Sequence, residues 1–171
     1  MSYALPPRPY PADRYAGATG EIAGEWRKPD DPHDVEFANG GWSDYLATGD
    51  TTGGDFGLYR WHMSGPVSGP DPHFHRTMTE SFFLVSGEVD LHDGTGWKAA
   101  QPGDFLFVPA GGIHGFRNVS GKPAEMLILF TPGGPRERYF EGLAELANAD
   151  PNPSEAALEE FFLAHDNIWL D

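Results

Sequence analysis

Between Pro72 and Gly87 the chain reads PHFHRTMTESFFLVSG, which sets two imidazoles and a carboxylate close together. His73 and His75 are two residues apart, so on an extended strand both side chains point to one face. Glu80 follows at a spacing that a bend or bulge returns to the same face. Neutral imidazole together with carboxylate suits a divalent first-row metal, and so few protein ligands leave coordination positions open. A further histidine, His114, stands in GDFLFVPAGGIHGFRN, where a short apolar strand, Phe105 to Val108, meets a Pro-Ala-Gly-Gly turn that delivers His114 to the next strand. A lone histidine in a strand is more often a hydrogen-bonded structural residue than a ligand. The joint spacing reverses that preference and makes His73, His75, Glu80 and His114 the candidate ligands of one divalent transition-metal ion. Its identity stays open, because three imidazoles and a carboxylate accept Mn, Fe, Co, Ni, Cu or Zn.

The two stretches resemble the paired signature motifs of the cupin superfamily. The first motif is a glycine, five residues, His-x-His, three or four residues, Glu, six residues and Gly; the second is G-x5-P-x-G-x2-H-x3-N. Gly103, Pro109, Gly111, His114 and Asn118 satisfy the second throughout. His73, His75, Glu80 and Gly87 satisfy the first, but Val67 stands where its opening glycine belongs, with Gly65 and Gly69 on either side. The resemblance, to small single-domain (monocupin) metalloproteins, implies an all-β antiparallel jelly-roll barrel, covered by the motifs from roughly Phe56 to Pro132. The later segment TPGGPRERYFEGLAEL is similar to the stretch after the barrel in quercetinase-like, flavonol-cleaving cupins. In those proteins the ligand glutamate also accepts the substrate hydroxyl proton, which implies a catalytic role for Glu80. The implied function is a quercetinase-like dioxygenase that takes a small aromatic or enolic molecule and dioxygen. Two alternatives stand beside it: a cyclase or isomerase using the metal as Lewis acid, as in cupin polyketide cyclases, and a non-enzymatic barrel that binds a small molecule.

The elements that position these residues are short apolar runs between glycine clusters. They span Trp42 to Leu46, Phe56 to Met63, His73 to His75, Glu80 to Ser86, Val89 to His92, Trp97 to Ala99, Phe105 to Val108, His114 to Asn118 and Ala124 to Thr131. Such runs, with Asp93-Gly94, Pro102-Gly103 and Gly121-Lys122 between them, predict an antiparallel sandwich or barrel over 35–132. If Glu80 points inward, so do Phe82 and Leu84, and an inward His114 brings Phe116 with it. Those three apolar residues are expected to line the pocket. On Phe56 to Met63 either Leu58, Arg60 and His62 or Tyr59, Trp61 and Met63 face inward; in the first case His62 joins the pocket.

Residues 1–34 are rich in proline and lack a period, so they form an extended arm. Its rings, Tyr3, Tyr10, Tyr15 and Trp26, gain from burial along the barrel or across a subunit boundary. His33 reads as a loop residue. Residues 133–171 carry two amphipathic helices, one over 136–147 with Tyr139, Phe140, Leu143 and Leu146 on one stripe, the second N-capped by Ser154 with Leu158, Phe161 and Phe162 on its apolar face. His165, near the end of that helix, fits a dipole interaction.

At 171 residues the chain is the size of one domain with a proper core. A formal charge of −15 with a pI near 4.6 opposes nucleic acid and anionic membranes as partners. Small molecules and a second copy of the chain remain; edge strands and the aromatic arm both need cover, so a homodimer is expected. There is no cysteine, hence no disulfide, thiolate ligand or cysteine nucleophile. The first residues lack an apolar signal-peptide region and no run approaches a membrane span, which reads as a cytoplasmic protein.

Overall fold

The computed structural model describes residues 11–149 and 153–170. Its strands are β1 (Val35–Glu36), β2 (Trp42–Ala47), β3 (Gly57–Met63), β4 (His73–Phe74), β5 (Thr79–Ser86), β6 (Val89–His92), β7 (Trp97–Ala100), β8 (Phe105–Val108), β9 (Gly115–Arg117), β10 (Ala124–Thr131) and β11 (Ile168–Trp169). A six-stranded antiparallel sheet runs β1-β2-β3-β10-β5-β8, a three-stranded sheet runs β7-β6-β9, and β11 pairs with β4. This is the expected all-β antiparallel jelly roll, followed by helices α1 (Arg136–Ala149) and α2 (Glu155–Ala164). Among the described residues no helix is long and apolar enough to cross a membrane.

Alternation explains the core. On β10, Ala124, Met126, Ile128 and Phe130 are buried while the residues between them are half-exposed. They meet Val89, Leu91, Ala100 and Phe116 of the smaller sheet in one cluster. β5 obeys the same parity over the site: Glu80, Phe82 and Leu84 are buried, while Phe83 and Val85 are exposed. On β3 it is Tyr59, Trp61 and Met63 that face the core. Helix α1 decides this: the Tyr59 hydroxyl donates to Glu137 Oε1 at 2.6 Å, and its ring meets Phe140 edge-on at 5.1 Å.

The two helices close over the sheet. Ser154 caps α2 by accepting the Ala157 N–H at 3.3 Å, and Phe161 stacks on Tyr139 of α1 with ring centroids 5.7 Å apart. His165 turns its Nδ1 to the Phe161 carbonyl at 2.8 Å. Asp166 then adopts a left-handed conformation with φ of 58°, and the chain returns as β11 alongside the ligand strand β4. The Asp166 carboxylate accepts the Arg76 and Thr77 N–H groups at 3.0 and 2.8 Å and the Thr77 hydroxyl at 2.6 Å.

Burial pushes the Asp166 carboxyl up, but these hydrogen bonds outweigh it and hold the group below its ordinary value. Its stabilisation is therefore fully present above the unfolded carboxylate pKa and is lost as pH falls through the lower folded value. Asp166→Ala is expected to cost about 1–3 kcal/mol, the range for losing hydrogen bonds to a charged acceptor. Urea unfolding at neutral pH against pH 3 checks both: the gap between wild type and variant shrinks in acid.

The N-terminal arm departs from expectation. Tyr3 and Tyr10 lie outside the described residues; Tyr15, Ile22 and Trp26 are exposed, Trp26 by 90%. Tyr15 and Trp26 are not buried along the barrel, because residues 11–34 form no strand and meet it through polar contacts such as Arg27 to Asp44 at 3.4 Å. His33 is more than a loop residue, stacking on Trp42 at 3.9 Å with its Nδ1 2.7 Å from the buried Asp44.

Candidate metal centre

Backbone pairing brings the two histidine segments together. His73 and His114 exchange both main-chain hydrogen bonds, at 2.8 and 2.9 Å, and Gly111 N–H donates to the His75 carbonyl at 2.7 Å. Gly111 has φ of 81°, a left-handed turn residue that redirects the chain from Pro109 to His114. On the adjoining wall, Gly69 has φ of 121°, and a Cβ there would sit 2.1 Å from the Phe116 carbonyl oxygen. Gly69 is thus a required glycine of this loop, while Val67 is 76% exposed and carries no such constraint. Asn118 is buried and holds the next turn, donating to the Lys122 carbonyl at 2.7 Å and accepting from Ser120 N–H at 3.0 Å.

All four candidate ligands are buried, and one ligand atom from each lies within 4.8 Å of the others. Each imidazole has its Nδ1 against a carbonyl: His73 on Asp71 at 2.9 Å, His75 on Asp166 at 2.6 Å and His114 on Gly112 at 2.9 Å. A carbonyl only accepts, so each Nδ1 carries the proton and each neutral ring keeps its lone pair on Nε2. Glu80 Oε2 lies 3.0 Å from His75 Nε2 and 2.7 Å from His114 Nε2. Lone pairs facing a carboxylate repel unless a cation stands between them, so the donor set fits a metal ion.

The electrostatics agree. Burial pushes the His73 imidazole down to about 4, which keeps it neutral. Burial also pushes Glu80 up, but its hydrogen bonds with His114 and His75 outweigh that and hold the carboxyl below the usual carboxylate range. For His114 burial pulls down, while the contact with Glu80 wins and raises it, so the carboxylate favours positive charge at this point.

A cavity of about 440 Å³ opens onto this centre, with His73 and Glu80 in its wall. Its apolar sides include Trp61, Phe116, Phe130, Phe140 and Trp169. Of the residues expected to line it, Phe116 does. Phe82 and Leu84 point inward as expected but belong to the buried core and not to the cavity wall, Phe82 packing on His114 at 5.9 Å and on Phe116 at 5.8 Å. His62 also meets the expectation in part. It borders the cavity, yet its strand turns the ring to the opposite face, where it stacks on Trp42 at 4.8 Å with Nδ1 3.3 Å from Glu125 Oε1.

Arg136 is the residue that sequence reasoning missed. It lines the cavity from the first turn of α1 and is 4% exposed. Nη1 donates to the His165 carbonyl at 2.8 Å and to Asn167 Oδ1 at 3.0 Å. The guanidinium lies over Tyr139 at 4.2 Å and Phe130 at 4.8 Å. Burial pulls its pKa below the ordinary arginine value.

Residues 61–130, from β3 to β10, match the family model of the cupin domain, a span that contains all four candidate ligands. An uncharacterized protein of Aquifex aeolicus (strain VF5) is 31% identical over 61 residues, covering 36% of this chain and 50% of that protein. Quercetin 2,3-dioxygenase of Bacillus subtilis (strain 168) is also 31% identical over 61 residues, covering 36% of this chain and 18% of the enzyme. The chain thus matches half or less of the length of these curated relatives. Among solved structures, the polyketide cyclase RemF from Streptomyces resistomycificus aligns with a TM-score of 0.53 at 20% identity, over 66% of this chain and 81% of the cyclase, a likeness of fold. The resemblance to cupins holds over residues 61–130, and the likeness to quercetin 2,3-dioxygenase is a partial match.

Proposed function

We propose that this cupin domain holds one divalent transition-metal ion on His73, His75, Glu80 and His114 and uses it to transform a small planar aromatic or enolic molecule, with quercetinase-like oxygenation as the reaction. The observation that carries this reading is the convergence of three Nε2 lone pairs and a carboxylate, with every Nδ1 committed to a carbonyl. When bound, the ion supplies Lewis-acid charge and, if redox-active, electrons for dioxygen. The rings around the cavity hold a flat substrate and keep bulk water away from the centre. Glu80, buried at the cavity wall, accepts the hydroxyl proton of the substrate.

Elemental analysis of the purified protein, combined with oxygen uptake over flavonols and related enols, tests the reading. The expected result is one transition metal per chain and uptake that requires it. A redox-inert ion with an isomerised product and no uptake replaces oxygenation by Lewis-acid cyclisation. Ligand affinity without turnover leaves a binding module.

We further propose a homodimer. Phe83 and Val85 of β5 and Phe105 and Phe107 of β8 are exposed by 41, 43, 62 and 57%. Phe83 lies opposite Phe105, and β8 is the sheet edge, so the rings form one apolar strip next to unpaired backbone. Symmetric pairing covers both. Phe105→Asp with Phe107→Asp is expected to halve the mass seen by light scattering; a wild type that is monomeric at micromolar concentration refutes the dimer. Deleting residues 2–26 tests separately whether the exposed arm crosses to the partner.

A further inference from the structure

We propose that Arg136 receives a carboxylate of the substrate, so that the molecule entering the cavity is a small aromatic or enolic carboxylate. The inference rests on the cavity being the substrate site, and it starts from a charge without a counter-charge. A guanidinium taken out of water needs an anion close by, or its desolvation goes uncompensated. Arg136 is buried, yet among the described residues no carboxylate lies within ion-pair distance of it. Its two acceptors, the His165 carbonyl and Asn167 Oδ1, are neutral, and both are taken by Nη1. Nε is buried with no hydrogen-bond partner at all.

The nearby carboxylate of the cavity, Glu80, is engaged elsewhere, its Oε2 held by His75 and His114. Arg136 therefore faces the cavity as a cation already fixed in orientation. Nη1 is anchored on one side, and the plane is clamped over the Tyr139 and Phe130 rings. Nη2 has no hydrogen-bond partner among the described residues and is not sealed off as Nε is, so it is the nitrogen left to meet a carboxylate oxygen in the cavity. Charge argues the same way: with a divalent ion on the ligands, the positive charges around the cavity exceed that of Glu80, inside a chain whose net charge is −15. An acidic exterior with a cationic interior selects an anion by the cavity and not by general attraction.

The alternative is a purely structural Arg136 that pins residues 165–167 to α1. The two roles separate in a binding experiment that compares benzoate with benzamide, a neutral molecule of the same shape. Trp61 and Trp169 line the cavity, so their fluorescence reports occupancy of the intact protein. Wild type is expected to bind benzoate at least about tenfold more tightly than benzamide. Arg136→Met is expected to weaken benzoate by about 10- to 100-fold, the worth of a hydrogen bond to a charged group, and to leave benzamide within about twofold. Should the methionine variant fail to fold, Arg136→Gln, which keeps a neutral hydrogen-bonding group on the side chain, is expected to show the same selective loss. Equal affinity for the two probes in wild type, or a preference for benzoate that survives in a folded Arg136 variant, overturns the proposal. Metal content measured alongside keeps the two readings apart. A metal-free wild type that prefers benzoate through Arg136 sinks the metal centre and leaves this inference standing; a metal-loaded wild type indifferent to the probe's charge does the reverse.

Discussion

Glu80→Gln is expected to lower turnover by about two to four orders of magnitude, the span general-base catalysis supplies, while most of the metal stays bound. The substitution keeps the shape of the side chain and one ligand oxygen, but an amide accepts no proton at neutral pH. In the wild type the carboxylate is well placed to act as a base. It is 5% exposed, it borders the cavity, and its Oε2 is oriented by two imidazoles. The low pKa that those contacts impose makes it a weak base in the metal-free protein. A divalent ion held by the same four residues would lower it further, so its strength as a base depends on the aromatic, poorly hydrated cavity wall raising it again. The measurement is a matched pair, metal stoichiometry and turnover on the substrate found by the oxygen-uptake screen. Full activity at unchanged metal content removes Glu80 from the chemistry and favours Lewis-acid action.

His75→Ala and His114→Ala are each expected to remove most of the bound metal, a fall from about one ion per chain towards zero. Losing one of four ligands leaves a gap that the buried surroundings do not fill, since no other His, Asp or Glu joins the cluster among the described residues. Loss of an orienting partner alone typically costs about 10–100-fold in metal affinity, and loss of the ligand itself costs more. The fold is expected to persist, because the buried apolar cluster spans both larger sheets and does not depend on the ligands. Elemental analysis with a near-ultraviolet circular dichroism spectrum checks both halves. Wild-type metal content in both variants defeats the assignment.

Much of this arrangement was legible in the chain because it is local. β6, β8 and β10 fall where their apolar runs stand, and the parity of β5 follows from Glu80 being inward. The ligand spacing is local as well, one residue between the first histidines and a turn before His114. What escaped was decided across the fold. Both faces of β3 carry large side chains, so only the docking of Tyr59 against Phe140 and Glu137 chooses between them. β11 is two residues long, too short for any period to show. Arg136 reads as an ordinary charged residue at a helix start; it becomes buried because Phe130, Tyr139 and residues 165–167 close around it. The aromatic residues of the arm suggested burial by composition alone, and exposed Trp26 shows that a ring's gain from burial requires a surface to meet.

The acceptor of His75 Nδ1 is the carbonyl of Asp166, 91 residues further along the chain. Ligand orientation in the middle of the chain is thus underwritten by a contact of high order, and such contacts form late, after the loops they close have been ordered. During synthesis the His-x-His segment leaves the ribosome long before residues 166–169 do. A nascent chain at that stage has a His75 ring with no fixed tautomer and a β4 without its β11 partner. The geometry that would present His75 Nε2 to a metal is therefore complete only once residues 166–169 have docked on β4.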